Sequence, residues 1–151
     1  MKPHLVIGLG NPLMGDEGVA FHLLGALRQD PRLPDDVELL WGGADVLSCA
    51  DKMIGRTRVT LLDALLDPTQ PGALCIFDGD FSALETGQPS VHQLSAAGAI
   101  ELLLIAEPSL RDVPFKLLAV AVRSAEVRPE ISPALAAKLP QLLELVLKAL
   151  E

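Results

Sequence analysis

Short, nearly unbroken apolar runs rich in Val, Leu and Ile alternate along the chain with segments of helical period. That alternation belongs to layered α/β proteins rather than to helical bundles or β-sandwiches. The apolar runs predict strands at Leu5 to Gly8, Val37 to Leu40, Arg58 to Leu62, Ala73 to Phe77 and Phe115 to Val122. Between them, Val19, Leu23 and Leu27 share one helical face, with Ala20 and Leu24 beside it, and predict a helix over Val19 to Arg28. A shorter helix is expected over Val46 to Ile54. A third is expected over Leu94 to Ala106, where Glu101 is the only charge, so that it is either buried or docks a partner. The last opens on the cap and first-turn pair Ser132-Pro133, should be kinked or interrupted at Pro140, and continues through Leu142 to Leu150. The connection Asp67-Pro-Thr-Gln-Pro-Gly72 is too short for a helical crossover, so one strand should run antiparallel to the rest. The expected sheet is five-stranded, mixed and mostly parallel.

With 151 residues, half of them apolar, the chain is expected to fold as one domain over 1–151 with a substantial core. Twelve Lys and Arg against 20 Asp and Glu give a net charge of −8, which argues against nucleic acid and against an anionic membrane surface as partner. Four Phe, one Trp and no Tyr leave little material for stacking bases. No uncharged apolar run reaches spanning length, and the N-terminal apolar stretch is broken by Asn11 and Pro12, so neither a membrane helix nor a signal peptide is expected. The expected location is cytoplasmic. Cys49 and Cys75 lack metal-ligand spacing and sit in apolar surroundings, as buried free thiols do.

Candidate chemistry concentrates where the first strand meets the first helix, in Gly8-Leu-Gly-Asn-Pro-Leu-Met-Gly-Asp-Glu-Gly18. The glycines do not follow G-x-G-x-x-G, no Gly-Lys-Ser/Thr follows, and Asp16 and Glu17 would repel a pyrophosphate from the helix N-terminus. The two acids either complement the helix dipole or face a ligand. In a parallel sheet, ligands sit outside the carboxyl ends of the strands. By that rule Glu17 follows the first strand to this edge, and Asp63, after Val59-Thr-Leu-Leu62, should emerge at the rim unless it simply terminates the strand. His92 precedes the apolar third helix, whose N-terminus favours the neutral, metal-binding imidazole. His4 and His22 read as structural or solvated. Two carboxylates and an imidazole from three loops form a mixed O/N set that suits a borderline divalent ion such as nickel, zinc or cobalt.

The run GLGNPLMGDEG at 8–18, Gly42-Gly43, LLDALL around Asp63 followed by Pro71-Gly72, VHQL around His92 and ISP at 131–133 occur in the order and spacing of the [NiFe]-hydrogenase maturation endopeptidases. The chain resembles that family over nearly its whole length. The resemblance implies a three-layer α/β/α sandwich of the phosphorylase/hydrolase-like kind. It implies an endopeptidase that removes the C-terminal extension of a hydrogenase large-subunit precursor after nickel insertion. It places the family's nickel-contacting and catalytic residues on Glu17, Asp63 and His92, with nickel carried by the precursor rather than held as a resident cofactor. Neither an H-E-x-x-H zinc set nor a G-x-S-x-G elbow is present. Trp41, Ala44 and Ala20 depart from the family's frequent residues, and Trp41 is either a partner anchor or a core residue. Two other readings stand beside this one. LVIGLGNP also resembles the opening of peptidyl-tRNA hydrolases, although Met-Gly-Asp-Glu and an acidic chain replace their His-Asn pair and basic face. A scaffold that binds the nickel precursor without cutting it is the non-enzyme alternative. The oligomeric state is left open.

Overall fold

The computed structural model of the protein describes residues 1–78, 100 and 103–151. Its strands are β1 (His4–Leu9), β2 (Val37–Gly43), β3 (Arg58–Leu66), β4 (Leu74–Asp78) and β5 (Phe115–Val122). They form one five-stranded sheet in the order β2-β1-β3-β5-β4. The first four of these are mutually parallel, and β4 runs antiparallel to β5. One strand is therefore reversed, as the short Asp67 to Gly72 connection requires. That connection does not make a hairpin, because β5 lies between β3 and β4. It wraps the end of β5 instead, with Asp67 N–H donating to Val122 O (2.9 Å) and Gly72 N–H to Ala121 O (2.7 Å). Two strand spacings are roughly 10 Å, which six residues span without strain.

Helices cover both faces. Helix α1 (Val19–Gln29) and the C-terminal helix α3 (Pro133–Ala149) pack on one face. Val19, Leu23, Leu27, Leu142 and Val146 meet Val6, Leu62, Leu118 and Val120 there. On the other face, Leu5, Ile7, Leu61 and Leu117 pack with Cys49, Met53, Ile100, Leu103 and Leu110. Cys49 and Met53 come from the short helical stretch of Leu47–Cys49 and α2 (Ala50–Met53), where a single helix over Val46 to Ile54 was expected. The result is the three-layer α/β/α arrangement. Ile100 and Leu103 are buried against the sheet while Ile105 is exposed, so the described part of the third predicted helix uses its apolar surface mainly for the core. Residues 94–99 of that helix lie outside the described residues.

Helix α3 starts as read, with Ser132 as N-cap accepting from Leu135 N–H and Pro133 in its first turn. It runs through Pro140 as one continuous helix, so of the kink or interruption expected there the interruption does not occur. Proline removes one backbone donor, to the carbonyl four residues earlier. Pro140 and Ala136 are both exposed, so water can take the freed carbonyl. Both cysteines are free, Cys49 buried and Cys75 half-buried, and burial raises both thiol pKa values. Among the described residues, no helix is long and apolar enough to cross a membrane.

The amino ends of the strands are tied by buried polar groups. Arg56, 8% exposed, donates to Lys2 O (2.6 Å) and Lys52 O (2.8 Å) and pairs with Glu38. His4 is buried in β1, with Nε2 2.8 Å from Thr60 Oγ1 on β3. Burial, and next the charge of Arg58, push its pKa down to about 4 from the ordinary 6.5. The folded protein thus holds His4 neutral at a pH where the unfolded chain protonates it. Stability is full above about pH 6.5 and is expected to fall by about 3 kcal/mol as pH drops towards 4. Urea denaturation across that range checks this; His4→Gln, which keeps a partner for Thr60, should flatten the dependence.

Candidate functional site

The loop leaving β1 folds back on itself. Gly10 N–H donates to Gly43 O (2.9 Å), Met14 N–H to Asn11 O (3.0 Å), and Leu13 N–H to the Asn11 side chain (2.9 Å). A 3-10 turn, Gly15–Gly18, then feeds directly into α1. Gly10 has φ +131°, and a Cβ there would run into the backbone carbonyl of Glu17 and come within 4.0 Å of Asp63 Oδ1. Only glycine allows that conformation and that approach. Gly10 therefore serves the chain reversal.

The close approach brings Glu17 and Asp63 to one end of the sheet. β1 pairs with β3 only as far as Gly8 opposite Leu62, and at Leu9 its register shifts on β2. Asp63 is the first β3 residue beyond that pairing, while β5 continues beside it from Ala119 to Val122. The expectation that Asp63 ends its strand at the rim is corrected: β3 runs on to Leu66, because β5 supports it, and Asp63 is only 4% exposed. It sits instead in the gap where β1 leaves the sheet. Flanking helices diverge to opposite faces at this point, which makes it the topological switch of the fold. Strand alternation puts Asp63 on the face of Leu61 and Leu65, the one that receives Ile100 and Leu103. Its Oδ1 accepts from Ala64 N–H (2.8 Å). Glu17 is half-buried. His92 lies outside the described residues, and among those described no three His, Cys, Asp or Glu side chains come together as a metal-ligand set.

Asp16 has a different role from its neighbour. It is buried, and its two oxygens accept from Ser132 N–H (2.6 Å) and Ser132 Oγ (2.9 Å). It binds the N-cap of α3 rather than capping α1. The sequence reading left Asp16 as either helix cap or assistant; what could have located its partner is the joint presence of DEG and ISP, 116 residues apart. A backbone bridge beside it, Met14 with Arg128, holds the two segments together. Trp41 is half-buried and packs on the α1 face of the core, edge-on to the exposed Phe21 with ring centroids 5.3 Å apart. Of the remaining histidines, His4 is structural, and His22 is half-buried against Phe21.

Known proteins bear on this geometry directly. Residues 21–149 match the family model described as hydrogenase maturation protease. The chain is 34% identical over 150 residues to the hydrogenase 2 maturation protease of Escherichia coli strain K12, covering 97% of this chain and 89% of that one. The chain belongs to the hydrogenase maturation protease family. It is accordingly a hydrolase, a peptidase. The hydrogenase maturating endopeptidase HybD from E. coli superposes with TM-score 0.80 at 32% identity, over 99% of this chain and 92% of its own. The [NiFe] hydrogenase maturation protease HybD from Thermococcus kodakarensis gives TM-score 0.81 at 23% identity over the whole of both chains, a likeness of fold. Membership of this protease family sets aside the peptidyl-tRNA hydrolase reading, which rested on the opening segment alone. The family-model match includes Asp63 and His92; Glu17 lies ahead of it but within the near full-length alignment to the E. coli protease.

The Asp16 clamp generates a stability prediction for this protease. Asp16→Ala leaves the Ser132 N–H and hydroxyl without their charged acceptor and should cost about 2–3 kcal/mol, with Asp16→Asn costing less because the amide keeps one acceptor. Urea unfolding midpoints measure both.

Proposed function

We propose that this maturation protease removes the C-terminal extension of a [NiFe]-hydrogenase large-subunit precursor after nickel insertion, and that Glu17, Asp63 and His92 read the precursor's nickel. The observation that carries the reading is that the Glu17 backbone carbonyl and the Asp63 carboxylate both lie beside Gly10, at the switch point of the sheet. Open α/β sheets place ligands there. Among the described residues the Glu17 side chain has no hydrogen bond or ion pair. Carboxylate oxygens with a neutral imidazole suit a borderline divalent ion. The nickel is cargo of the substrate: contact with it positions the scissile peptide and makes cleavage conditional on metal insertion. The chain's contribution is then to orient a bond already presented by the precursor, and such positioning is worth several orders of magnitude in rate.

Incubation with nickel-loaded and nickel-free precursor, read by intact mass, tests the proposal. Wild-type protein should release a C-terminal peptide only from the nickel-loaded form. Glu17→Gln should reduce that cleavage by about 100-fold or more while shifting stability by less than about 0.5 kcal/mol. Normal cleavage by the variant removes Glu17 from the mechanism, and equal cleavage without nickel removes the metal. Stable binding without mass loss would make this chain a scaffold.

A further inference from the structure

On the α1 and α3 side of the sheet a cavity of about 410 Å³ opens between the carboxyl end of β5 and the start of α3. Its walls include Arg123, Arg128 and Lys138, against the acids Asp16 and Glu126. Three cations in one hollow are notable on a chain of net charge −8. Two acids against three cations leave one formal positive charge in excess. Asp16 is engaged by Ser132, and Glu126, 62% exposed in its side chain, approaches Arg128 only to 3.9 Å. Lys138 has a partial partner in Pro71 O (3.1 Å) and fixes the outer wall. Arg123 is exposed and has no ion pair or hydrogen bond among the described residues. Arg128 Nε is buried with no acceptor among the described residues, an uncompensated donor of the kind that folded proteins rarely leave.

The cavity is built onto the loop that carries Glu17. Arg128 exchanges backbone hydrogen bonds with it, donating to Leu13 O (2.9 Å) and accepting from Gly15 N–H (2.9 Å). Its side chain lies across Gly15, where Cγ and Nε would be 3.5 and 3.4 Å from an added Cβ. Gly15 has φ +59° and directly precedes Asp16 and Glu17. The backbone of Arg128 is thus held by the same turn that delivers Glu17 to the switch point.

We propose that this basic cavity is a substrate subsite that binds a carboxylate of the precursor's C-terminal segment through Arg123 and Arg128. The inference rests on the protease reading above and adds to it a charge requirement in the polypeptide. Planar guanidinium groups match carboxylates in geometry and are weakly hydrated, so an arginine pair is a fitting receptor for such a group. Cations at a partly open rim also attract an acidic segment in a salt-dependent way. The carboxylate can be the chain terminus or an acidic side chain, and the two are separable by experiment.

The test has a binding arm and a cleavage arm. Binding is followed by amide chemical shifts of the wild-type protein titrated with four forms of a short synthetic peptide. These carry glutamate with a free terminus, glutamate with an amidated terminus, glutamine with a free terminus, and glutamine with an amidated terminus. Shifts at residues 123–128 with the charged forms and none with the neutral form are expected. The two singly charged forms show which carboxylate is bound. Arg123→Gln and Arg128→Gln should each weaken binding about ten-fold. With nickel-loaded precursor, the same variants should raise KM about ten-fold at low salt with kcat retained, and the difference should shrink in high salt. Arg123 is exposed, so its variant keeps the fold. Equal shifts from charged and neutral peptides, or an unchanged KM and salt response in both variants, overturn the proposal. If wild-type protein cuts no precursor, the protease reading fails, while the binding arm still decides whether the cavity takes carboxylates.

Discussion

The close contact at Gly10 governs the geometry of this molecule's working end. There the chain leaving β1 passes so near the Glu17 carbonyl that no side chain fits between them, at a φ of +131°. A backbone reversal this tight puts the residue that begins the first helical turn beside the residue that follows the last β1–β3 pair. β1 pairs with β3 only as far as Gly8 opposite Leu62, and beyond that point β5 alone among the described strands pairs with β3. The gap so produced is the hollow at the carboxyl edge where doubly wound sheets bind ligands.

Around that point the two ends of the fold divide their polar groups differently. At the amino edge, Arg56 and His4 are buried and tied to neighbours in the chain: backbone carbonyls and Glu38 for Arg56, and Thr60 for Nε2 of His4, whose Nδ1 has no partner among the described residues. They fix strands and carry no opening to solvent. At the carboxyl edge, Asp16 is engaged by the N-cap of α3, while among the described residues the Glu17 side chain has no hydrogen bond or ion pair and Arg128 Nε has no acceptor. Stabilising contacts and available groups thus alternate within a few residues of one turn. The adjacent acids Asp16 and Glu17 show this most sharply: one holds two segments together across 116 positions of sequence, and the other is half-buried with its backbone carbonyl against Gly10.

Much of this was legible in residue order alone. Apolar runs located all five strands, and β5 to its last residue, because a sheet buried on both faces needs uninterrupted Val, Leu and Ile. The length of the Asp67 to Gly72 connection required a reversed strand. Ser132-Pro133 marked the start of α3 through local capping chemistry. Glycine spacing and the adjacent acids argued against a phosphate loop. The segments shared with maturation proteases pointed to Glu17, Asp63 and His92, of which His92 lies outside the described residues.

Tertiary structure decided what depends on neighbours distant in sequence. β3 outruns its expected end because β5 pairs with it to Val122, a partner that no local pattern near Asp63 announces. Helix α3 passes through Pro140 because that turn faces water rather than the sheet. Asp16 reads like any first-turn acid until the fold brings Ser132 to it, and Arg123 and Arg128 read as scattered surface cations until β5 and α3 enclose a common cavity. Periodicity and capping act over a few residues and are written in order along the chain. Pairing, burial and the meeting of charges act through space, and only the folded sheet determines which residues they join.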